Sequence, residues 1–200
     1  IDYFEFFSFC HHHIQPIGNI SQNSRDITKK MLIRLANSAD ITAIMNIVHG
    51  AQEALRELGI DQWQDGYPTA EVILKDIIDG VGYVACIPNG DIVGYEAVVL
   101  TGEEVYRQLP NEAWNTPNEY VVVHRLCVLK EHTRMGIAKQ LMAFAAEHAI
   151  EHGVYAFRID THRGNIRMMT LLPQLGFKHV GVVRYDSGER EAFDMKLSNK

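Results

Sequence analysis

Cysteine is scarce in this chain of 200 residues, which contains only Cys10, Cys86 and Cys127. No two of them form a C-x-x-C pair, so the sequence offers neither a disulfide framework nor a four-thiolate zinc site. The chain also lacks an uninterrupted apolar run of the ~20 residues that a membrane-spanning helix needs. These absences favour a reducing compartment, and we expect a cytoplasmic protein with no membrane partner.

Positive charge is in the minority as well. The sequence has 19 Lys and Arg against 25 Asp and Glu, which gives a net charge of -6 at pH 7. Non-specific nucleic-acid binding depends on clustered Lys and Arg, so we expect no nucleic-acid partner; a cationic small substrate suits this charge better. With 46% hydrophobic residues, 6 Pro and 15 Gly, the composition is that of a globular protein, and the length fits one α/β domain.

The first 30 residues differ from the rest of the chain. Residues 1–10 contain five aromatic side chains without a helical or strand period, and His11, His12 and His13 follow them. Patterned sequence begins at Met31, which we expect to be the natural start. The sequence therefore predicts a poorly patterned N-terminal extension over residues 1–30 and one domain over residues 31–200.

Helical and strand patterns alternate from Met31 onwards. Apolar residues recur at helical spacing over 41–55, Thr69 is placed to cap a second helix, and Asn89-Gly90 supplies the positive φ angles of a hairpin. Gly153 is placed as a left-handed helix stop. The later predicted elements are a buried strand over 120–129, a helix over 137–152, a strand over 154–160, a helix over 165–172 and two closing strands over 178–185 and 191–197.

A basic turn with a glycine joins the strand that ends near Val128 to the helix that begins near Ile137. The unpaired NH groups of a helix's first turn and the helix dipole favour an anion there, and Gly136 permits close approach of a ligand to the backbone. The spacing matches neither G-x-x-x-x-G-K-[ST] nor G-x-G-x-x-G. The turn therefore predicts a phosphate or diphosphate site of another kind.

This turn resembles the acyl-CoA signature of the GNAT N-acetyltransferase superfamily, Gln/Arg-x-x-Gly-x-Gly/Ala. The order of elements over about 170 residues is also similar to that family's fold. Asn165, followed by Leu175-Gly176-Phe177, looks like the family's second motif. The resemblance implies a mixed α/β (α+β) domain with a central, mostly antiparallel sheet flanked by helices.

The resemblance also implies a cofactor and the residues that hold it. The cofactor is acetyl-CoA, with its pantetheine along the backbone of one strand, its diphosphate on the NH groups of the following turn, and an Asn close by. Carried onto this sequence, the cofactor-binding residues are Leu126, Cys127 and Val128 for the pantetheine, Thr133, Arg134, Met135, Gly136, Ile137 and Ala138 for the diphosphate, and Asn165.

Two positions depart from the family's pattern. Thr133 stands where Gln or Arg is usual, and Leu172 stands where a Tyr usually protonates the departing thiolate. Water or Tyr185 is left to supply that proton. Pro173 follows Leu172 and is expected to end or kink the helix, because proline has no NH to donate and its ring clashes with the preceding turn.

His124 is the candidate general base on the same strand. An amine of pKa about 10.4 must lose a proton before it attacks a thioester, and imidazole accepts a proton near neutral pH. A hydrogen-bonded structural histidine is the alternative. We expect a main-chain NH near Leu126 or Cys127 to hold the oxyanion, Cys127 to be a buried apolar residue, and Arg125 to form a structural ion pair on the opposite face.

The loop over residues 61–68 is the candidate site for the amine acceptor. Trp63 and Tyr67 can stack on a cation, and Asp61 or Asp65 can pair with it; the alternative is a capped turn whose aromatic rings fill the core. Residues 160–162 are a further candidate lining. We expect a small-molecule or peptide amine as the partner, with a homodimer as an open possibility.

The sequence is also compatible with two other functions. A CoA-binding module without catalysis is consistent with the missing Tyr at Leu172. His148, Glu151 and His152 match the H-x-x-E-H pattern of a zinc peptidase, although Gly153 ends the helix directly afterwards and an exposed last turn is the better interpretation. We therefore expect an N-acetyltransferase that binds no metal.

Overall fold

The computed structural model describes residues 31–116 and 119–198. The extension predicted over residues 1–30, with Cys10 and the His11 to His13 run, lies outside the described residues, as does the question of a start at Met31. No helix within the described ranges has the length and apolar character needed to cross a membrane.

The described strands form one sheet in the order β1-β2-β3-β4-β5-β7-β6, in which only β4 and β5 run parallel. The expectation of a mostly antiparallel, mixed sheet flanked by helices is confirmed. The strands are β1 Leu32–Leu35, β2 Gly82–Cys86, β3 Ile92–Val99, β4 Val121–Val128, β5 Ala156–Thr161, β6 Lys178–Tyr185 and β7 Gly188–Lys196. The α-helices are α1 Ile41–Glu57, α2 Ala70–Ile78, α3 Ile137–Glu151 and α4 Ile166–Gln174.

Local sequence explains where these helices begin and end. Thr69 Oγ1 accepts a hydrogen bond from the Val72 NH (3.4 Å) and caps α2, while Gly153 takes a φ of +78° directly after α3. The hairpin between β2 and β3 is also present, although only Gly90 of the Asn-Gly pair takes a positive φ (+93°). The predicted caps and turn are therefore where the sequence places them.

The helices cover the two faces of the sheet in pairs. On one face, α3 and α4 bury Val98, Val123 and Phe157 of the sheet. On the other face, α1 packs against Tyr95 and Cys127. The connection from β3 to β4 lies on that second face, beside α1, and contains the 3-10 helix Glu104–Gln108. Three aromatic side chains of this region cover β4, β5 and β7: Tyr106, Trp114 and Tyr120.

The parallel pair β4 and β5 is joined over a very short distance. Only Val121 with Phe157 and Val122 with Arg158 are paired, and beyond these two pairs the strands separate. A gap therefore opens in the middle of the sheet, between the C-terminal half of β4 and the end of β5.

A β-bulge shapes the same half of β4. Tyr95 pairs with Cys127 and Ala97 with His124, so two residues of β4 stand opposite the single Glu96, and Arg125 takes a φ of +56°. The extra residue interrupts the alternation of side chains. The prediction that Arg125 lies on the opposite face from His124 is wrong for this reason, because both side chains emerge on the face that α1 and α2 cover.

Glu96 is a carboxyl group buried in the core. It lies on the α3 face of β3 between Gly94 and Val98, is 0% exposed, and pairs across the sheet with Tyr83. Neither of its carboxylate oxygens has a hydrogen-bond partner within residues 31–116 and 119–198. Burial raises its pKa to about 8, so the folded protein keeps this group protonated at neutral pH.

We expect the difference in free energy of unfolding between Glu96→Gln and the wild type to shift in favour of the variant as the pH rises from 5 to 8. Because the pKa of Glu96 is higher in the folded than in the unfolded chain, the wild type loses stability as the pH rises from about 4.5 towards 8, by up to ~1.4 kcal/mol for each pH unit. Glutamine has no proton to lose. Chemical denaturation at pH 5, 6.5 and 8 measures the difference, with exposed Glu104→Gln as the control. A difference that stays constant over this range would contradict the prediction.

Candidate functional site

The gap between β4 and β5 exposes main-chain donors. The Leu129 NH donates to the Val93 carbonyl of β3 (2.8 Å). Successive NH groups of a strand point to alternate sides, so the Cys127 NH faces β3, whereas the NH groups of Leu126 and Val128 face the gap. Within the described residues, no strand pairs with this part of β4 on the β5 side. The edge is thus free to bind an extended ligand that contains amide groups.

The turn that follows β4 presents a second set of donors. Arg134 and Gly136 have φ values of +63° and +87°, and α3 begins at Ile137. Thr133 is held inside the turn, since its NH and its hydroxyl both donate to the Lys130 carbonyl (3.3 and 2.9 Å). Within the described residues, no hydrogen bond uses the main-chain NH groups of residues 134–139. Unpaired donors at the positive end of α3 form a cradle for an anion.

The second predicted motif lies at the start of α4, directly after β5. Asn165 Oδ1 accepts a hydrogen bond from the Met168 NH (3.3 Å) and caps the helix, which leaves the side-chain Nδ2 group to donate elsewhere. Leu172 is fully buried beside Phe157 and Phe177, and its aliphatic side chain has no proton to give to a thiolate. Pro173 lies inside this helix, which extends to Gln174 and is followed by Gly176 with a φ of +96°, so the predicted end at Leu172 is two residues too early.

His124 lies on β4 immediately before the bulge. Its side chain is 22% exposed, and its Nε2 atom lies 3.3 Å from Oε2 of Glu103. Burial and, to a smaller extent, the Arg125 guanidinium lower the pKa of His124 to about 4, so the imidazole is neutral at pH 7. Neighbouring Cys127 is buried, and burial raises the pKa of its thiol to about 12, as expected for a packing residue rather than a nucleophile.

Glu103 is a functional candidate that the sequence did not reveal. It lies 21 positions before His124, in the polar connection between β3 and β4, and belongs to no recognisable motif. Its contact with His124 depends on the path of that connection across the sheet. A carboxylate followed by a distant histidine is too common in sequences to indicate such a pair.

A second carboxylate stands at the end of β5 on the same face. Asp160 Oδ1 accepts hydrogen bonds from the hydroxyl groups of Tyr106 (2.8 Å) and Tyr185 (3.0 Å). Burial raises the pKa of Asp160, and burial together with this carboxylate raises the pKa of both tyrosines. The Tyr185 proton is therefore engaged by Asp160. Glu103 and Asp160 together give this side of the gap a negative character.

The loop over residues 61–68 meets both edges of the gap. Tyr67 Oη accepts a hydrogen bond from Arg125 Nη1 (2.7 Å), and Asp61 Oδ1 lies 3.9 Å from Nε2 of His162, just after β5. Trp63 packs partly buried against the core beneath α1, with its ring edge-on to Tyr67 at 6.4 Å between centroids. Tyr67 therefore lies next to the bulge, and Trp63 packs against Tyr67 and the core.

Arg125 forms the structural ion pair that the sequence predicts. Its guanidinium donates to both carboxylate oxygens of Asp76 in α2 (2.7 and 2.6 Å), and the Tyr95 hydroxyl donates to the same carboxylate (2.7 Å). Arg125 thereby ties the bulge to α2 and, through Tyr67, to the loop that precedes α2.

The residues of the zinc-peptidase pattern have other contacts. His152 Nδ1 lies 2.7 Å from the His148 carbonyl, and His148 Nε2 lies 3.5 Å from the Tyr83 hydroxyl. Within the described ranges, no three His, Cys, Asp or Glu side chains are grouped so that they could hold a metal ion. The pattern at the end of α3 therefore gives no support to a peptidase.

Comparison with known proteins agrees with this geometry. A solved acetyltransferase of the GNAT family from Streptococcus agalactiae is 33% identical, covers 85% of this chain and 96% of its own, and superposes with a TM-score of 0.75. The PaiA N-acetyltransferase from Thermoplasma acidophilum, solved in complex with coenzyme A, shares the fold at 18% identity, with a TM-score of 0.62 and coverage of 84% and 99% of the two chains.

A curated relative is the chloroplastic GCN5-related N-acetyltransferase 6 of Arabidopsis thaliana, 32% identical over 82 residues. These residues make up 41% of this chain and 28% of the length of that relative. The match to the acetyltransferase (GNAT) family itself extends over residues 52–177 and thus includes the gap, the cradle and the start of α4. The chain belongs to the GNAT acetyltransferase family.

Proposed function

We propose that this protein is an N-acetyltransferase that transfers an acetyl group from acetyl-CoA to a primary amine by direct attack. The observation that carries the proposal is that two sets of main-chain donors have no partner within the described residues: the NH groups of the cradle before α3, and those of Leu126 and Val128 on the open edge of β4 close to His124. Family membership and the coenzyme A complex of the PaiA neighbour support the same conclusion.

The residues that carry these unpaired main-chain donors are suited to bind acetyl-CoA. The NH groups of Arg134, Met135, Gly136, Ile137 and Ala138 are placed to hold the diphosphate, since they are unpaired and lie at the helix N-terminus. The open edge of β4 offers the NH groups of Leu126 and Val128 on either side of Cys127, which suits the amide groups of pantetheine. Asn165 contributes its free Nδ2 group from the opposite side of the gap.

His124 is the proposed general base. Acetyl-CoA supplies the activated acetyl group, and the acceptor ammonium must first release a proton to the Nδ1 atom of His124. The nitrogen lone pair then attacks the carbonyl carbon and forms the C–N bond, the nitrogen of the adduct releases its second proton to water, and the C–S bond breaks with its electron pair leaving on sulfur. The NH of Leu126 stabilises negative charge on the carbonyl oxygen, and water protonates the thiolate, whose pKa in the free thiol is about 8.5.

The acceptor in this proposal is cationic. Glu103 provides negative charge beside His124, Asp160 adds negative charge at the end of β5, and the ring of Tyr67, which is 36% exposed, borders the same face. A small-molecule or peptide amine meets these requirements. Cytoplasmic location and a homodimer stay predictions.

A protein that binds CoA without catalysis is the second candidate function. One observation favours it: Leu172 is buried at the position where the family usually has a Tyr that acts as general acid. The two functions differ in turnover. Release of free thiol from acetyl-CoA that requires an added amine establishes the transferase. Micromolar CoA binding with no amine-dependent release, across diamines, amino acids and peptides, would establish the binding module instead.

We expect Gly136→Val to weaken CoA binding by about tenfold or more. A side chain at a φ of +87° strains the cradle and obstructs the approach of the diphosphate to the main chain. Isothermal titration with CoA measures the affinity. Gly153→Val is the matched control, because Gly153 has a similar φ of +78° at the other end of α3 and suffers comparable strain. Equal affinity of the two variants for CoA would contradict the cradle.

We expect His124→Gln to lower kcat by about 10²–10⁴-fold, the usual contribution of a general base, with the affinity for CoA unchanged within about twofold. Thiol release under saturating acetyl-CoA measures kcat. His179→Gln is the control, since His179 also pairs with a glutamate (Glu191, 2.6 Å) but lies on β6, away from the gap. If both variants keep wild-type kcat, His124 is a structural histidine.

A further inference from the structure

Glu103 is held in place by contacts on several sides. Gly102, with a φ of +81°, turns the chain after β3, and the Tyr120 hydroxyl bridges Glu103 by accepting from its NH and donating to its carbonyl (both 3.2 Å). The Val105 NH donates to carboxylate oxygen Oε1 (3.5 Å). The remaining oxygen, Oε2, is the one that lies 3.3 Å from His124 Nε2.

The position of His124 is set by its strand and by the charged groups around its ring. Its backbone pairs with Ala97 in the β3–β4 ladder, one residue before the bulge. The charged groups that face its ring are Glu103, from the connection after β3, and Arg125, whose guanidinium is occupied by Asp76 and Tyr67. On β5, the carboxylate of Asp160 is directed to Tyr106 and Tyr185. Among these groups of the described residues, Glu103 is therefore the carboxylate in contact with Nε2.

This contact favours one of the two neutral tautomers of His124. A neutral imidazole has one N–H group and one acceptor nitrogen, and a neighbouring carboxylate stabilises the tautomer whose N–H group points towards it. With the proton on Nε2, the Nδ1 atom is left as the acceptor. The same carboxylate stabilises the imidazolium that forms once Nδ1 has taken a proton.

We propose that Glu103 is a positioning residue for His124, which it holds in the Nε2–H tautomer with Nδ1 available to the acceptor amine. This inference rests on the proposed function and adds to it. Glu103 does not touch the reacting atoms, and its effect passes through the imidazole. No motif of the sequence assigns it such a role.

The kinetic test compares Glu103→Gln and Glu103→Asp with Glu104→Gln. Glu104 lies in the same turn, but its side chain is 86% exposed and forms an ion pair with Arg107 at 3.4 Å. We expect Glu103→Gln to lower kcat by about tenfold or more, with the KM for acetyl-CoA unchanged and the acidic limb of kcat/KM moved to lower pH, because the imidazolium loses its counter-charge. Asp should restore part of kcat. Glu103→Gln with wild-type kcat and pH profile would overturn the proposal.

A spectroscopic test does not depend on turnover. Two-bond ¹H–¹⁵N spectra of histidine-labelled wild-type protein distinguish the two tautomers, and His124→Gln assigns the resonances. We expect His124 to be Nε2–H in the wild type and a mixture of tautomers in Glu103→Ala. An Nδ1–H imidazole in the wild type refutes the proposal, whether or not Glu103→Ala folds. Failure of the wild-type protein to release thiol with any amine counts against the transferase, while the tautomer is still decided by the spectra.

Discussion

The separation of β4 from β5 after two residue pairs is the constraint on which the site depends. A sheet that stayed paired would satisfy the NH groups of Leu126 and Val128 internally and leave no room for a ligand. Because β7 and not β4 continues the pairing of β5, the sheet remains one body while its middle opens. The bulge at Arg125 adds to the opening and directs His124 and Arg125 to the same face.

Charge is distributed unequally along the gap. The chain is acidic overall, which disfavours a ligand with several phosphates, yet the cradle offers unpaired NH groups at the positive end of α3 and the exposed side chain of Arg134. The carboxylates of Glu103 and Asp160 lie on the side where the amine is proposed to enter. In the proposed function, the NH groups of the cradle therefore hold the anion and the carboxylates attract the cation at the other end of the gap, and the net charge of the protein decides neither.

Features that depend on neighbouring residues alone were predictable from the sequence. Gly136, Gly153 and Thr69 stand at helix ends because of their own backbone or side-chain chemistry, and the structure places all three as expected. The strand and helix order also follows from periodicity. The bulge was not predictable, because regular alternation assigned Arg125 to the wrong face, and Glu103 meets His124 only because a long connection crosses the sheet.

The contact between Arg125 and Tyr67 limits how the acceptor loop can diverge. If Arg125 lost Tyr67, it would keep Asp76 but lose one hydrogen bond at the protein surface, so a substitution at position 67 changes the contacts of the bulge itself. Asp61 is exposed and, within the described residues, contacts neither Arg125 nor Tyr67, whereas Asp65 Oδ1 accepts a hydrogen bond from the Tyr67 NH (3.2 Å). A change of substrate preference in related proteins is therefore expected to arise at position 61 first, with the hydroxyl group at position 67 retained.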